Sequence, residues 1–193
     1  MGLPANFRRQ GLLTEAAADA LEHVPGPAAV ISGSCSPATL GQVSAMAAQH
    51  PALRIDPLRL AAEADTAAAA IAWAMPRLAR GPVLIYTSAL PQDVRHAQDA
   101  LGRARAGALV EEALAEIARG LVDGGVRCLV VAGGETAGAV VSALGVCGIR
   151  IGPPIDPGVP WTVSLGEPPL ALALKSGNFG APDFFLKALG QRP

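Results

Sequence analysis

The chain has 193 residues, of which 16% are charged and 51% are hydrophobic, and its formal net charge is −1. This near-neutral balance gives no electrostatic basis for a nucleic-acid partner or an anionic membrane surface, and the high apolar content argues against disorder. The longest apolar run, Ala67 to Met75, is far shorter than the roughly 20 residues of a membrane-spanning helix, so no membrane partner is expected.

The N-terminus and the cysteines indicate the cellular compartment. The opening residues carry arginines and lack the continuous apolar stretch of a signal peptide. Cys35, Cys128 and Cys147 have no metal-ligand spacing and are predicted to be small buried residues in a reducing environment. We therefore expect a cytoplasmic protein.

The predicted elements alternate between strands and helices. An extended leader and a helix beginning near Thr14 come first. The predicted strands span residues 28–31, 53–55, 83–87, 128–131, 159–165 and 170–174. The predicted helices follow Pro37, span residues 64–80 (with a kink or end at Pro76), 108–122 and 136–144, and begin again near Pro182. Residues 91–106 are predicted as a loop with irregular helix.

This alternation predicts the fold class. Strands that alternate with helices indicate a layered α/β fold, with a mixed, mostly parallel sheet flanked by helices. The last two strand segments are separated by the turn-forming residues 166–169, which predicts a C-terminal antiparallel hairpin.

Three predicted strands end in turns of small residues, at 31–36, 133–136 and 175–180, and each turn leads towards a helix. Because the carboxyl ends of parallel strands gather at one edge of a sheet, these turns are expected where ligands bind. Amide groups at a helix N-terminus favour a phosphate, glycine permits its close approach, and hydroxyls add donors. Lys175 would supply a compact positive charge.

Each turn also has a purely structural interpretation, which the residues alone leave open. Ser32, Ser34 and Ser36 could be ordinary turn and capping hydroxyls. Gly133 and Gly134 could form only a tight turn with Thr136 as a helix cap, and Lys175 could be a solvated charge at a strand end. Glu135 would repel bound phosphates unless Mg²⁺ lies between them or the carboxylate caps the helix.

Other chemistry has less support in the sequence. Neither a Walker A pattern nor a G-x-G-x-x-G after a strand is present. His23, His50 and His96 stand far apart and are predicted to have surface or capping roles. A hydrolase that uses Ser34 stays an alternative, although the nucleophile-elbow motif is absent.

Four segments, in order and spacing, resemble the C-terminal half of the four-carbon acid sugar kinase family. They read SGSCSPATLGQV, VAGGETAGAVVSALG, PGVPWTVS and LALKSGNFGAPDFF, and the resemblance covers most of the chain from about Ala28 onward. It implies a two-domain ATP-dependent kinase of threonate, erythronate or their 3-oxo derivatives, whose N-terminal domain holds the sugar acid and whose C-terminal domain holds the nucleotide.

The resemblance also implies site residues. The nucleotide contacts would fall on Ser34, Gly133, Gly134, Glu135, Thr136 and Gly177. Lys175 would stabilise charge, with ATP and Mg²⁺ as cofactors and no metal-ligating residue assigned.

The resemblance further implies a domain organisation. Residues 1–27 would be an inter-domain leader with a first helix, and residues 28–193 the nucleotide-binding domain. The sugar-binding domain would be missing from this chain, so the sugar acid would be bound by that absent N-terminal domain. Surface exposed by its absence makes a homo-oligomer an expectation. The alternative function is a non-catalytic binding or interaction protein that retains the fold.

Overall fold

The computed structural model describes residues 3–12 and 21–193. Within these residues the helices are α1 (Leu3–Arg9), α2 (Pro37–Ala47), α3 (Pro57–Ala62), α4 (Thr66–Leu78), α5 (Pro91–Leu101), α6 (Arg103–Asp123), α7 (Gly134–Ala143) and α8 (Phe184–Gly190). The strands are β1 (Ala28–Ser32), β2 (Ala52–Arg54), β3 (Val83–Tyr86), β4 (Cys128–Ala132), β5 (Ile149–Asp156), β6 (Val159–Ser164) and β7 (Ala171–Lys175).

All seven strands form one mixed sheet in the order β2-β3-β1-β4-β7-β6-β5. The first five strands are parallel to one another, whereas β6 runs antiparallel to both β7 and β5. The predicted fold class and the predicted C-terminal hairpin are confirmed. Ser32 lies opposite Tyr86 and Ala132, and Ala132 lies opposite Lys175, so the carboxyl ends of β3, β1, β4 and β7 are level.

Helices cover both faces of the sheet, which explains why its central strands are almost continuously apolar. Alternate residues of β1 and β4 enter opposite cores: Ile31 and Val131 pack with Leu114 of α6, whereas Val30 and Val130 pack with Phe184 of α8. All five residues of each strand are buried. The period of two along a strand therefore builds two cores at once.

The N-terminal segment differs from the prediction. Residues 3–9 were expected to be extended, but they form α1. Pro4 is tolerated in a first helical turn, and Arg8 and Arg9 in the last turn interact favourably with the helix dipole. The helix predicted near Thr14 lies outside the described residues.

The prediction of an irregular loop over residues 91–106 is wrong. The segment forms α5 and the first turn of α6, with Pro91 at the helix start and Gly102 at φ 81° between the two helices. Glycine adopts this conformation without the steric cost of a β-carbon, so two helices can meet at a sharp corner.

Two elements, α3 and β5, were not predicted. Helix α3 is one and a half turns long, and its N-cap Asp56 accepts a hydrogen bond from the Leu58 amide. Strand β5 contains Pro153 and Pro154, which argue against a strand, but it lies at the sheet edge, where missing amide donors are tolerated. Helix α4 continues through Pro76 for two more residues.

The cysteines also differ in part from the prediction. Cys128 is buried on β4, whereas Cys35 and Cys147 are exposed, since both lie in turns rather than in the core. Among the described residues, no helix is both long and apolar enough to cross a lipid bilayer.

Candidate functional site

Three turns meet at the level edge of the sheet. The serine turn (residues 33–36) follows β1, the glycine turn (residues 133–136) follows β4, and the C-terminal loop (residues 176–181) follows β7. The amides of Gly33 and Ser34 donate to the Ala132 carbonyl at 2.9 and 3.2 Å, and the Gly133 amide donates to the Lys175 carbonyl at 2.8 Å. Backbone hydrogen bonds thus join the three turns, as their sequence predicted.

Glycine is required where the turns touch. A β-carbon on Gly177 would stand 3.0 Å from Ser34 Oγ, and one on Gly133 would stand 2.9 Å from Thr136 Oγ1. A β-carbon on Gly33 would overlap the same Thr136 hydroxyl. Gly133 also has φ 125°, which L side chains rarely adopt. The structure therefore brings Ser34, Gly133, Thr136 and Gly177 together, with Gly134 and Glu135 in the same turn.

Helix α7 begins at this junction. Gly133 is its N-cap and provides no side-chain hydrogen bond, and the first intrahelical bond runs from the Ala137 amide to the Gly133 carbonyl. The amides of residues 134–136 therefore have no acceptor within the helix, and they carry the positive end of its dipole. Such an end attracts an anion.

Capping is borne out for Ser36, the N-cap of α2, whose hydroxyl accepts from the Thr39 amide, but the capping alternatives for the glycine turn find no support. Thr136 lies inside the first turn of α7 and is not the cap, so that interpretation is wrong. Glu135 is exposed, and the Gly133 amide that it would have to cap already donates to the Lys175 carbonyl. Glu135 therefore does not cap the Gly133 amide, which leaves the option of Mg²⁺ between its carboxylate and the phosphates.

A cavity of about 500 Å³ opens beside the serine and glycine turns. Its opposite wall comes from α3, α5 and α6 and is largely apolar. The apolar lining residues are Pro57, Leu58, Ala89, Val94, Ala97, Ala106 and Val110. One polar end formed by backbone and hydroxyl groups, facing an apolar wall, is the usual composition of a small-molecule site.

The charged residues around the cavity are mainly acidic: Asp56, Asp93, Glu111 and Glu135. Arg54 is also at the cavity, but it forms an ion pair with Asp93 at 2.9 Å. Within residues 3–12 and 21–193, no group of three or more His, Cys, Asp or Glu side chains could hold a metal ion. An anion at this site would therefore be bound by amides and hydroxyls.

Ser34 has no general base beside it. Its hydroxyl donates to Ser36 Oγ at 3.4 Å and accepts from the Ser36 amide at 3.3 Å. No imidazole or carboxylate of the described chain is hydrogen-bonded to it, although His96 lines the same cavity. This environment is unlike that of an activated serine nucleophile, so the hydrolase alternative loses its chemical basis.

Lys175 lies outside the cavity lining. Its side chain is fully buried, and Nζ donates to Thr39 Oγ1 at 2.9 Å and to the Gly177 carbonyl at 2.8 Å. Burial lowers the pKa of its ammonium to about 8. The interpretation of Lys175 as a solvated charge is wrong, and the structure does not bring it into contact with the space that a ligand would occupy.

Sequence reasoning missed two parts of this region. The apolar wall depends on α3 and α5, which were not predicted as helices. Thr39 and Gln42 of α2 hydrogen-bond the C-terminal loop, and the regular spacing of Ser36, Thr39 and Gln42, each three residues after the last, was the available signal.

The chain was compared with known proteins. Residues 29–185 match the family model described as "Nucleotide-binding C-terminal domain". The chain is 58% identical over 192 residues to the 3-oxo-tetronate kinase of Pseudomonas fluorescens, covering 99% of this chain and 44% of that protein. It is 38% identical over 191 residues to the 3-oxo-tetronate kinase of Salmonella typhimurium, covering 97% and 45%.

Among solved structures, the Haemophilus influenzae protein HI1011 superimposes with a TM-score of 0.87 at 33% identity. The match covers 95% of this chain and 44% of that one. The chain thus spans a little under half the length of the proteins that it matches.

Proposed function

This chain belongs to the four-carbon acid sugar kinase family, as its nucleotide-binding C-terminal domain, and we propose that its cavity binds ATP for phosphoryl transfer to a tetronate-type sugar acid. The chain spans only 44% of such a relative. Phosphoryl transfer and a sugar acid as its acceptor are therefore proposed for the whole kinase. The sugar acid would be bound by the portion of these kinases that the chain does not span.

One observation carries the proposal: three turns at the carboxyl edge of the sheet converge on the open amides of α7. A polyphosphate chain needs several donors close together, and here Ser34 and Thr136 line the same cavity as the first turn of α7 with its open amides. Gly133 has no side chain that would keep the phosphates at a distance, whereas Gly177 lies outside the cavity lining and its missing side chain permits the contact with Ser34. Ser34, Gly133, Gly134, Glu135, Thr136 and Gly177 are the proposed nucleotide contacts.

The apolar wall fits the other end of the nucleotide. Leu58 of α3, Val94 of α5 and Val110 of α6 line it, and a cavity of about 500 Å³ is within the range that accommodates a cofactor-sized ligand. We assign the adenine base to this wall and the phosphates to the turns.

Mg²⁺ fits this site only as a companion of the nucleotide. Mg²⁺ keeps several waters and binds one or two carboxylates together with substrate phosphates. Glu135 is exposed beside the α7 amides and is the proposed carboxylate, acting through water. When bound, the ion would neutralise charge on the transferring phosphoryl group.

The residues of this chain would act by positioning. The α7 amides would hold the phosphates in one orientation, the serine turn would donate to them, and the apolar wall would exclude water from the base. In phosphoryl transfer, positioning and charge stabilisation supply most of the catalysis. The acceptor hydroxyl and any general base would come from outside this chain.

The cysteines of the chain provide a direct test. Cys35 is exposed and lines the cavity, Cys147 is exposed elsewhere, and burial raises the pKa of Cys128 to about 11. Mg-ATP should slow alkylation of Cys35 by iodoacetamide without changing that of Cys147. Equal Cys35 rates with and without millimolar Mg-ATP, together with no heat of binding in calorimetry, would contradict the proposal.

Two further ligands separate the two ends of the site. Magnesium triphosphate should protect Cys35 through the turns alone, whereas adenosine would occupy only the apolar wall. At the same concentration we expect each fragment to protect Cys35 less than Mg-ATP does, because the two contacts act together in one ligand.

Self-association is a separate part of the proposal. Ile149 and Ile151 of the edge strand β5 are exposed and lie on one face of the strand. Exposed apolar side chains on an edge strand favour pairing with a second copy. Light scattering across a concentration series checks this, and a monomer throughout would exclude it.

A further inference from the structure

Lys175 is a buried cation that the proposed chemistry does not use. Its side chain is 0% exposed, and Nζ donates to Thr39 Oγ1, the Gly177 carbonyl and the Ser176 carbonyl at 2.9, 2.8 and 3.3 Å. In the described part of the chain, no carboxylate forms an ion pair with it. A buried ammonium without a counter-charge is strongly unfavourable, so its three acceptors must compensate for the lost water.

Two of these acceptors belong to the C-terminal loop, and the third belongs to α2. Thr39 Oγ1 in turn donates to the Gly177 carbonyl at 2.8 Å, as does the hydroxyl of Ser36. The Gly177 carbonyl therefore accepts hydrogen bonds from Lys175, Thr39 and Ser36. This fixes the peptide group that places Gly177 against Ser34.

The rest of the C-terminal loop is also hydrogen-bonded to α2. Gln42 Nε2 donates to the carbonyls of Phe179, Gly180 and Ala181 at 3.1, 3.1 and 2.9 Å. Ser36, Thr39 and Gln42 are three residues apart and share one side of α2. The Gln42 Oε1 atom is buried and has no hydrogen-bond partner among the described residues, which indicates that this amide is oriented by its donors. The loop carbonyls thus face α2.

We propose that Lys175 is a positioning residue, which holds the C-terminal loop against α2 through Thr39 and the Gly177 carbonyl, and does not itself bind phosphate. Its ammonium lies between α2 and the C-terminal loop and is not part of the cavity lining, to which Ser34 belongs. The part of this inference that concerns the ligand rests on the proposed nucleotide site, whereas the part that concerns the loop does not.

The charge state of Lys175 gives the inference a characteristic pH dependence. Burial brings the pKa of the ammonium to about 8, so the positive charge is lost under mildly alkaline conditions. Helix α2 and strand β6 contain no titratable side chain. On the other neighbouring elements, Asp156 and Lys187 pair with each other, Glu135 is exposed, and burial raises the pKa of Cys128 to about 11. Cys35 of the serine turn is exposed, and Lys175 is the buried group whose pKa is brought to about 8.

The first experiment needs no ligand. Hydrogen exchange compares the chain as given with Lys175→Met and Thr39→Val, and Thr39→Ser, which keeps the hydroxyl, is the matched control. At about pH 7 the Phe179 and Ala181 amides should exchange at least about tenfold faster in Lys175→Met and Thr39→Val. Exchange in β4 should not change, and Thr39→Ser should resemble the parent. Unchanged loop exchange in both altered variants would overturn the inference.

The second experiment measures affinity for Mg-ATP by calorimetry at about pH 7 and about pH 9.5. The parent should bind several-fold more weakly at the higher pH, whereas Lys175→Met should bind weakly at both. A Lys175→Met affinity equal to that of the parent at about pH 7 would overturn the positioning role, and a parent affinity that is independent of pH would overturn its dependence on the charge of Lys175.

The two experiments distinguish the inference from the proposed function. If the parent binds no Mg-ATP, the nucleotide proposal fails, and the hydrogen-exchange result still decides whether Lys175 holds the loop. If the parent binds Mg-ATP and the loop exchange is unaffected, only the role of Lys175 fails. If Lys175→Met does not fold, Thr39→Val and Thr39→Ser carry the same comparison, because neither changes a charge.

Discussion

Ser34 Oγ lies 3.0 Å from the point where a β-carbon on Gly177 would stand, although 142 residues separate the two in the chain. The contact joins the first turn of the sheet edge to the last and depends on glycine having no side chain. Two segments that look like ordinary turns in the sequence thereby form one continuous surface.

Replacing Gly177 by Ala should disturb that surface. The added methyl group would also lie 3.2 Å from Ser36 Cβ, so the C-terminal loop must move away from the serine turn. We expect the affinity for Mg-ATP to fall about tenfold, with little change in the melting temperature, because the loop is at the surface. Gly41→Ala in α2 is the control: nothing lies within 4 Å of its β-carbon, and it should stabilise by about 0.5–1 kcal/mol. Equal binding by both variants would argue against the contact.

Gly33→Ala should lower stability through one identifiable clash. Its β-carbon would overlap Thr136 Oγ1 and lie 3.1 Å from a Leu114 methyl group in the core. We expect a loss of about 1–3 kcal/mol in the free energy of unfolding from denaturant titration. Adding Thr136→Ala removes the hydroxyl and should restore part of that loss, whereas additive losses in the double variant would rule out the clash. Gly138→Ala, with open space around its β-carbon, is the control.

Lys175 should make the free energy of unfolding depend on pH in the alkaline range. Its pKa is about 8 in the folded chain and near 10.4 when unfolded, so the unfolded state binds more protons between these values. The free energy of unfolding should therefore rise with pH in that window, by roughly 2–3 kcal/mol relative to Lys175→Met. Parallel pH profiles for the two proteins would refute the low pKa. Nucleotide affinity should move the opposite way over the same range.

Glu135→Gln should separate the effect of Mg²⁺ from that of the nucleotide. If Glu135 holds Mg²⁺ through water, the variant should bind Mg-ATP about threefold to tenfold more weakly and ATP without Mg²⁺ no more weakly than the parent. Glu116→Gln, on the exposed side of α6, controls for the change in net charge. Stronger binding of both ligands by Glu135→Gln would show that the carboxylate only repels phosphate.

Asp156 should contribute stability that is lost in acid. A hydrogen bond from Lys187 and a second from the Ala181 amide at 2.8 Å hold the pKa of this carboxyl below its usual range. Its contribution is present above the ordinary pKa and disappears as the pH falls through the lowered value. Asp156→Asn should therefore be about 1 kcal/mol less stable near neutral pH and equal to the parent at low pH. A constant difference in urea titrations at all pH values would contradict this.

Strands β1, β3 and β4 were predictable because their signal is local. Each is a short apolar run between glycine or proline residues, and each is buried on both faces of the sheet. The turns that follow them were predictable as a set for the same reason, since parallel strands bring their carboxyl ends to one edge. Strand β5, with two prolines, forms only because β6 is available to pair with it at the edge.

The features of the candidate site also differ in whether the sequence could predict them. The three turns could be selected from composition and order along the chain, and the family resemblance indicated Ser34 and Gly177 within them. The apolar wall could not be selected, because α5 depends on a glycine corner at Gly102 and on packing against α6. Nor could the environment of Lys175 be predicted, since burial beneath a loop follows from how β7 and α2 lie together.

The amino-acid sequence by itself therefore determined the α/β class, the parallel core strands, the three turns and the family. These depend on periodicity and on residues adjacent in the chain. Only the tertiary structure decided that the cavity has an apolar wall and that the ammonium of Lys175 lies behind the C-terminal loop. Burial and the pKa that follows from it are properties of surroundings assembled from distant segments, and they do not exist until those segments pack.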